Sequence, residues 1–218
     1  MPLVWGDQGD RPQLVVELSL GSLRSRALVD SAVAVNRDDG QGDEGSEPRA
    51  DGNQEGAMMD VRAANETEID QLAKIWHDGW HDAHARILPA ELIRLRTLES
   101  FRDRLRAVLP KIRVVGPFAA PVGFCILKGN ELYQLYVSAQ ARGSGVAATL
   151  MADAEGRLAE DGFETAWLAC AIGNDRAARF YDKSGWRRTG TVAYQAEVSN
   201  GTMPLEVWRY EKDLRAAD

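Results

Sequence analysis

Residues 136–147 have the sequence Tyr-Val-Ser-Ala-Gln-Ala-Arg-Gly-Ser-Gly-Val-Ala, which predicts a strand, a glycine-containing turn and the start of a helix. Aliphatic, aromatic and β-branched residues around Leu132, Leu135 and Val137 indicate the strand. After the turn, apolar residues recur at every fourth position, as on one face of a helix: Val146, Leu150, Ala154 and Leu158. The hydrophobic period therefore changes over this short stretch, which places a strand-to-helix junction here.

Gly143 and Gly145 lie at this junction. Glycine adopts backbone conformations that a Cβ atom disfavours, and it lets a ligand approach the main chain closely. The first turn of a helix has amides without an intrahelical acceptor, at the positive end of the helix dipole. Such a turn binds pyrophosphate, and Arg142 adds a charged donor beside it. The motif alone is weak evidence, because many glycine-containing loops only reverse the chain.

The spacing of this loop resembles a motif of the GNAT superfamily, the acyl-CoA-dependent N-acyltransferases. Residues 142–147 match its Q/R-x-x-G-x-G/A element. Residues 174–186 match its N-x-x-A-x-x-F-Y-x-x-x-G-F segment, with Trp186 where Phe is more common. The two elements in this order are much more specific than either alone, and the resemblance extends from about Met59 to Leu214. A dinucleotide-binding site is disfavoured, because the loop lacks a complete G-x-G-x-x-G.

The order of predicted elements indicates the fold class. We expect strands at about 60–64, 111–115, 122–127, 131–137, 165–170, 186–198 and 203–211. We expect helices at about 67–83, from Pro89 with a break near Thr97, at 146–160 and at 175–183. Early helices, a run of hairpins and one β-α-β crossover predict a mixed α/β fold, with a mostly antiparallel twisted sheet flanked by helices. This is also the GNAT order.

The first 57 residues differ in composition from the rest. Residues 36–56 are rich in Asp, Glu, Gly, Gln and Ser and have almost no large apolar residue, which is typical of disordered segments. No basic segment followed by an apolar core opens the chain, so we expect no secretory signal peptide. We predict that residues 1–57 are a disordered or non-native extension, the latter from an overextended gene start, and that residues 58–214 form the GNAT domain.

The composition excludes some classes of function. The 218 residues are 44% hydrophobic and 27% charged, as in globular proteins, with a formal net charge of −7. The acidic balance disfavours a nucleic-acid partner, and no apolar run approaches the length of a membrane span. Because the two cysteines, Cys125 and Cys170, lie in separate predicted strands, we expect buried reduced thiols in a cytoplasmic protein. A catalytic cysteine stays an alternative.

The chemistry of thioester aminolysis points to two further residues. The amine must be neutral to attack, and the departing thiolate needs a proton. The resemblance assigns the proton donor to Tyr181; alternatively, its ring only packs a helix onto the sheet. Glu131, at the start of the fourth strand, matches a carboxylate general base of some relatives, but an ordinary polar residue beside a hairpin turn is an equal alternative.

The resemblance also implies a cofactor site for acetyl-CoA, as a co-substrate. Main-chain groups of the fourth strand would hold the pantetheine arm, and the glycine loop with the helix after it would hold the pyrophosphate. Asn174 would both cap the second helix and contact the cofactor. The cofactor-binding positions are Leu135, Tyr136, Val137, Arg142, Gly143, Ser144, Gly145, Val146, Ala147 and Asn174.

Three histidines, His77, His81 and His84, lie close together in the last turns of the first predicted helix and directly after it. His77 and His81 have the spacing of the H-E-x-x-H zinc motif. The acidic residue between them is a short Asp, Gly79 weakens the helix, and no cysteine pair accompanies them, so we expect no metal. The outer part of this face is expected to be solvated. In GNAT relatives this region lines the acceptor cleft, so we expect substrate contacts from Trp80, His81 and His84.

The resemblance implies an N-acetyltransferase that moves an acetyl group from acetyl-CoA to a primary amine by direct attack in a ternary complex. Two alternatives stay open: a non-catalytic acyl-CoA-binding sensor or interaction module, and a metal-dependent hydrolase built on the three histidines. The expected acceptor is a small-molecule amine or an amine of a peptide or protein. Neither nucleic acid nor a membrane is expected as a partner, and a homodimer is left open.

Overall fold

The computed structural model describes residues 60–198 and 201–215, so the prediction for residues 1–57 lies outside the described part. The strands are β1 (Val61–Ala63), β2 (Ile112–Val115), β3 (Gly123–Lys128), β4 (Glu131–Val137), β5 (Thr165–Ala171), β6 (Arg187–Val198) and β7 (Gly201–Asp213). The helices are α1 (Ile69–His84), α2 (Ala90–Leu95), α3 (Leu98–Val108), α4 (Val146–Glu160) and α5 (Asp175–Lys183).

The strands form one seven-stranded sheet in the order β1-β2-β3-β4-β5-β7-β6. Every neighbouring pair is antiparallel except β4 and β5, which are parallel and joined by the crossover through α4. Helices cover both faces, because each face of the sheet carries a separate hydrophobic cluster. The predicted fold class is therefore confirmed.

The parallel strands β4 and β5 separate almost as soon as they meet. Glu131 and Trp167 are their one paired position, and the Trp167 amide donates to the Asn130 carbonyl at 3.1 Å. Beyond this point no ladder joins the two strands within the described ranges. Their carboxyl ends therefore diverge and leave a slot in the middle of the sheet. The main-chain groups that face this slot have no partner on the strand opposite.

Helix α1 packs closely against β4 at a glycine. A Cβ atom on Gly79 would lie 2.8 Å from Cδ1 of Tyr136, which is closer than packed atoms allow. The apolar residues on the same side, Leu72, Trp76 and Trp80, are buried as their helical spacing predicts. Gly79 costs helix propensity, and it permits this close approach of helix and sheet.

The ends of several elements differ slightly from the prediction. A short 3-10 turn, Glu66–Glu68, precedes α1, and Asn65 caps it by accepting from the Thr67 amide at 3.0 Å. The predicted break at Thr97 is present, because the Thr97 hydroxyl accepts from the Ser100 amide at 3.2 Å and begins α3. Gly201, expected in a turn, instead begins β7.

Cys125 and Cys170 are free and buried, in β3 and β5, as the sequence predicts. Among the helices described, none has both the length and the hydropathy needed to cross a membrane.

Candidate active site

A cavity of about 430 Å³ lies in the slot between β4 and β5. We call it the slot cavity. It is bounded by β4 from Leu132 to Val137, the loop after β4, the first turn of α4, the first half of α5, the end of β5 and the C-terminal part of α1. Segments of the two motifs found in the sequence therefore line one cavity.

The loop after β4 presents main-chain donors to this cavity. Gly145 has φ 91° at the N-terminus of α4, a left-handed conformation that glycine adopts easily. The amides of Val146, Ala147 and Ala148 donate to no other group in the described ranges, and the Thr149 amide is the first to bond backwards, to the Gly145 carbonyl at 3.0 Å. The buried Val146 side chain anchors this turn in the core. These free amides fit an anionic group such as pyrophosphate.

Two arginines flank the slot cavity and share one carboxylate. Asp82, at the end of α1, lies 3.0 Å from Nη2 of Arg142 and 2.8 Å from Nη2 of Arg176. The hydrogen bond from Arg176 is the main reason that the pKa of Asp82 lies below its usual range. Both arginines line the cavity, so Asp82 holds two cations beside the free amides of α4.

Asn174 performs the predicted capping. Its Oδ1 accepts from the Ala177 amide at 3.2 Å, and the residue also lines the slot cavity. Leu135, Tyr136, Val137, Gly143, Gly145 and Ala147 line it as well, whereas Ser144 and Val146 do not. The Ser144 hydroxyl donates to the Ala141 carbonyl at 2.7 Å and so stabilises the loop.

Tyr181 lies in α5 and lines the slot cavity beside Cys170. Its ring packs against Tyr210, with centroids 5.5 Å apart. Burial raises the pKa of the Tyr181 phenol well above its usual value, so the hydroxyl keeps its proton at neutral pH. Burial also raises the pKa of Cys170 to about 12, so this residue is a thiol and not a thiolate.

A second cavity, of about 120 Å³, lies on the α1 side of the sheet. We call it the aromatic cavity, because its walls include Trp76, Trp80, Phe101, Tyr133, Tyr136 and Tyr194. The two cavities meet where β4 and β5 diverge, and the residues that line both are His84, Tyr133, Gln134, Tyr136, Ala169 and Ala171. The two cavities are therefore neighbours in the middle of the sheet.

The aromatic cavity contains one ion-paired cluster. Oε2 of Glu197 accepts from Arg104 at 2.9 Å and from the Tyr133 hydroxyl at 3.0 Å, and Lys128 donates to Oε1 at 3.1 Å. Burial opposes ionisation of Glu197, but the hydrogen bonds from Lys128 and Tyr133 outweigh it and lower its pKa. Both Glu197 and Arg104 therefore already have partners of opposite charge.

Glu131 lies apart from the walls of both cavities. Its residue is only 6% exposed, and burial raises its pKa to about 7. It interacts with the hydroxyl of Tyr194, which does line the aromatic cavity. The geometry gives Glu131 no direct contact with a molecule in either cavity; a proton could reach it only through an intervening group such as Tyr194 or water.

The three residues expected to contact the acceptor occupy different positions. Trp80 lines the aromatic cavity and His84 lines both cavities, whereas His81 lines neither. Nδ1 of His84 donates to the Trp80 carbonyl at 2.9 Å, and burial lowers the pKa of His84 to about 4, so the ring is neutral. Nε2 of His81 donates to the Arg96 carbonyl at 2.8 Å.

The third histidine of this region, His77, has a polar neighbour. His77 lies 2.9 Å from Asp78, which also pairs with Lys74 at 2.6 Å. In residues 60–198 and 201–215, His, Cys, Asp and Glu side chains form no group of three or more that could hold one metal ion.

Several residues of the two cavities were missed by sequence reasoning. Arg176 lies inside the second motif but was not singled out, and Asp82 has no local signal. Arg96 directly follows α2 and lies four residues after the buried Leu92, so the apolar spacing of α2 points at a charged residue. That spacing is the signal that could have identified it.

Comparisons with known proteins agree with this geometry. The model of the acetyltransferase (GNAT) family matches residues 119–186. An uncharacterized N-acetyltransferase of Mycobacterium tuberculosis is 34% identical over 116 residues, which cover 51% of this chain and 72% of that protein. The peptidyl-lysine N-acetyltransferase YjaB of Escherichia coli is 29% identical over 141 residues, covering 61% of this chain and 85% of YjaB.

Solved structures share the fold. A GCN5-related N-acetyltransferase from Rhodopseudomonas palustris has a TM-score of 0.56 at 21% identity, over 71% of this chain and 94% of that one. For yncA from Salmonella typhimurium, whose structure contains its cofactor acetyl-CoA, the TM-score is 0.53 at 14% identity, over 72% and 95%.

Proposed function

Because this chain belongs to the acetyltransferase (GNAT) family, we propose that it transfers an acetyl group from acetyl-CoA to a primary amine, by direct attack of the amine in a ternary complex. The observation that carries the proposal is the meeting of the slot and aromatic cavities at the diverging strands β4 and β5. Two substrates held in contact there need no intermediate carrier, and such positioning supplies much of the acceleration.

The slot cavity is the proposed cofactor site. The free amides at the start of α4, with Arg142 and Arg176 beside them, would bind the pyrophosphate. The unpaired main-chain groups of residues 135–137 would bind the pantetheine arm in the slot, as a neighbouring strand would. The residues present therefore fit acetyl-CoA, which supplies the activated acetyl group as a thioester.

The chain contributes a proton donor for the departing thiolate. The amine nitrogen bonds to the acetyl carbon, the carbon–sulfur bond breaks, and the sulfur takes a proton. Tyr181 is the proposed donor, because the residue lines the slot cavity and its hydroxyl keeps its proton at neutral pH. The proton that the amine loses passes to solvent or to a base, for which Glu131, with a pKa of about 7, is the proposed final acceptor.

The aromatic cavity is the proposed acceptor site. It shares lining residues with the slot cavity and has its own polar and aromatic walls. The name of YjaB states that it acetylates peptidyl-lysine, and from that relative we carry over only an amine as acceptor. We further propose that residues 58–214 form the GNAT N-acetyltransferase domain.

A thiol-release assay tests the proposed function. The full chain is mixed with acetyl-CoA and each member of an amine panel, and free CoA thiol is measured. We expect release above the amine-free rate with at least one amine. If calorimetry shows that acetyl-CoA binds but no amine releases thiol, the chain is a sensor of acyl-CoA and not an acetyltransferase. Failure to bind acetyl-CoA would overturn the proposal altogether.

A further inference from the structure

Arg96 is an almost fully buried cation in the wall of the aromatic cavity. Its residue is 7% exposed, and its Nε is buried without a hydrogen-bond partner. Across residues 60–198 and 201–215, no carboxylate lies within ion-pair distance of its guanidinium and no hydrogen bond from its side chain is formed. Burial lowers the pKa of Arg96 only to about 10, so the side chain stays charged at neutral pH.

An unpaired charge is unfavourable in a buried position unless something outside the chain compensates it. The nearest acidic residue of the cavity, Glu197, already accepts from Arg104, Tyr133 and Lys128. The protein thus neutralises one of the two arginines that line this cavity and leaves the other without an anion.

The position of Arg96 is nevertheless well supported. Nε2 of His81 holds the Arg96 carbonyl at 2.8 Å, and the guanidinium carbon lies 5.8 Å from the ring centroid of Trp80. Neither contact uses an N–H group of the guanidinium as a donor. The side chain is therefore held in place with its donors available to a molecule in the cavity.

We propose that Arg96 binds a carboxylate of the acceptor, so that the acceptor is a small amino acid-like molecule with a carboxylate at one end and a primary amine at the other. This rests on the proposed function, because it places the amine at the meeting point of the two cavities. Arginine binds carboxylates through two parallel hydrogen bonds. One unpaired cation matches one carboxylate, which favours a carboxylate over a doubly charged phosphate. The products are an N-acetyl amino acid and CoA thiol.

The test compares matched acceptors with the full chain. Each amino acid is paired with the amine that lacks its carboxylate: leucine with isoamylamine, phenylalanine with phenethylamine, and lysine with cadaverine. We expect kcat/KM to be about 10- to 100-fold higher for the amino acid in at least one pair, as for a hydrogen-bonded charged group. Equal values, or a preference for the amine, in every pair would overturn the proposal. So would a preference for aminoalkyl phosphonates.

Substitution of Arg96 distinguishes a role in binding the acceptor's carboxylate from a role in the stability of the fold. In Arg96→Met, which keeps much of the side-chain bulk, the ratio of kcat/KM for amino acid over amine should fall to about one. Arg96→Lys should keep an intermediate ratio, because it retains charge without the two parallel donors. The control is Arg106→Met, on the exposed face of α3, which should keep the wild-type ratio. If Arg96→Met lowers kcat/KM for the amino acid and for the amine in the same proportion, Arg96 has only a structural role and the proposal is wrong.

Failure of the proposed function gives a different result. If no acceptor of either kind releases thiol, the proposed function is wrong. Equilibrium titration with the same amino acids then tests whether Arg96 binds their carboxylate. Amino acid binding that weakens at least tenfold in Arg96→Met supports the carboxylate site. Binding that is undetectable, or equal in wild type and variant, overturns it.

Discussion

The slot cavity and the aromatic cavity are built in different ways. The slot cavity is lined mainly by a few continuous segments, β4, the loop and first turn of α4, and the first half of α5, with smaller parts of α1 and β5, and its free donors are main-chain amides. The aromatic cavity is lined by residues from α1, α2, α3, β4, β5, β6 and β7, many of them with large side chains. Main-chain binding depends on backbone conformation and tolerates most side chains, whereas the aromatic cavity changes with every residue that lines it. This difference between the cavities suits enzymes that share one cofactor and differ in their acceptors.

The charges of the two cavities differ in the same way. Asp82 pairs with the two arginines of the slot cavity, and all three side chains are at least one-third exposed. Arg96 in the aromatic cavity is buried and has no anion. Solvent screens exposed charges strongly and buried charges little, so we expect modest effects at the rim of the slot cavity and larger ones inside.

The largest expected effect is on the proton donor of the slot cavity. Tyr181→Phe should lower kcat by about 10²- to 10⁴-fold, as for loss of a positioned acid, while the acetyl-CoA affinity stays nearly unchanged. This pattern follows from a group that matters mainly in the transition state. Steady-state kinetics and calorimetry measure the two quantities.

Tyr210→Phe is the matched control, because the buried Tyr210 ring packs on Tyr181 but does not line the slot cavity. It should keep kcat near the wild-type value. Full activity of Tyr181→Phe would leave solvent as the proton source and reduce Tyr181 to a packing residue.

The next effect concerns the backbone of the slot cavity. Gly145→Val should weaken acetyl-CoA binding by about tenfold or more, because a β-branched residue at φ 91° is strained by about 1–2 kcal/mol. The relaxed loop would also move its amides away from the phosphates. Titration calorimetry gives the affinity, and thermal melting shows whether the fold is intact.

Gly162→Val provides the control for strain alone. Gly162 also has a left-handed conformation, φ 86°, and it lies in the turn after α4, away from the slot cavity. This variant should lose stability but bind acetyl-CoA normally. Unchanged affinity in a folded Gly145→Val protein would refute the phosphate site.

The pH dependence of the rate tests Glu131 as the acceptor of the amine's proton. If it accepts the amine's proton it must be ionised, so kcat/KM should fall about tenfold for each pH unit below its pKa of about 7. Protonation of the free amine lowers the rate in wild type and variant alike, so Glu131→Gln should remove only the additional tenfold fall per pH unit below about 7. An additional fall that persists unchanged in the variant would exclude Glu131 as the base.

The free energy of unfolding should change with pH in the direction opposite to the rate. The folded-state pKa of Glu131 lies above its ordinary value, so the folded protein binds its proton more tightly than the unfolded chain. The resulting stabilisation is complete below the ordinary pKa and is lost as the pH rises through about 7. Urea titrations should show wild type losing unfolding free energy relative to Glu131→Gln between pH 5 and 8.

The smallest effect is expected at the exposed arginines. Arg142→Ala and Arg176→Ala should each weaken acetyl-CoA binding by about three- to tenfold, and the loss should shrink at high salt because these charges are screened. Titrations at low and high salt measure this. A loss that is independent of salt would mean that the arginines act by packing.

Local signals explain why the slot cavity could be predicted from the sequence. The conformation at Gly145 and the apolar repeat from Val146 are properties of neighbouring residues, and β4, α4 and α5 occur where the pattern indicated. The two motifs and the strand before the first of them gave a large part of the residues that line this cavity. The Asp82 pairs could not be predicted, because they join the end of α1 to residues far along the chain.

Tertiary packing explains why the aromatic cavity could not be predicted to the same extent. The face of α1 indicated Trp80 and His84, but Glu197 comes from the far end of β6 and its partners from α3, β3 and β4. Arg96 is buried beside Trp80 and His81 of α1, a contact between separate elements. His81 was expected at the acceptor and instead holds the Arg96 main chain.

Direct attack at the meeting point of the two cavities is tested most directly by initial rates with acetyl-CoA and the acceptor varied together, and by the mass of the protein after incubation with acetyl-CoA alone. The account predicts intersecting double-reciprocal lines, as for a ternary complex, and a protein mass without an added acetyl group. Parallel lines, with an acetyl group on Cys170, would contradict it, because the acetyl group would then pass through the protein before reaching the amine.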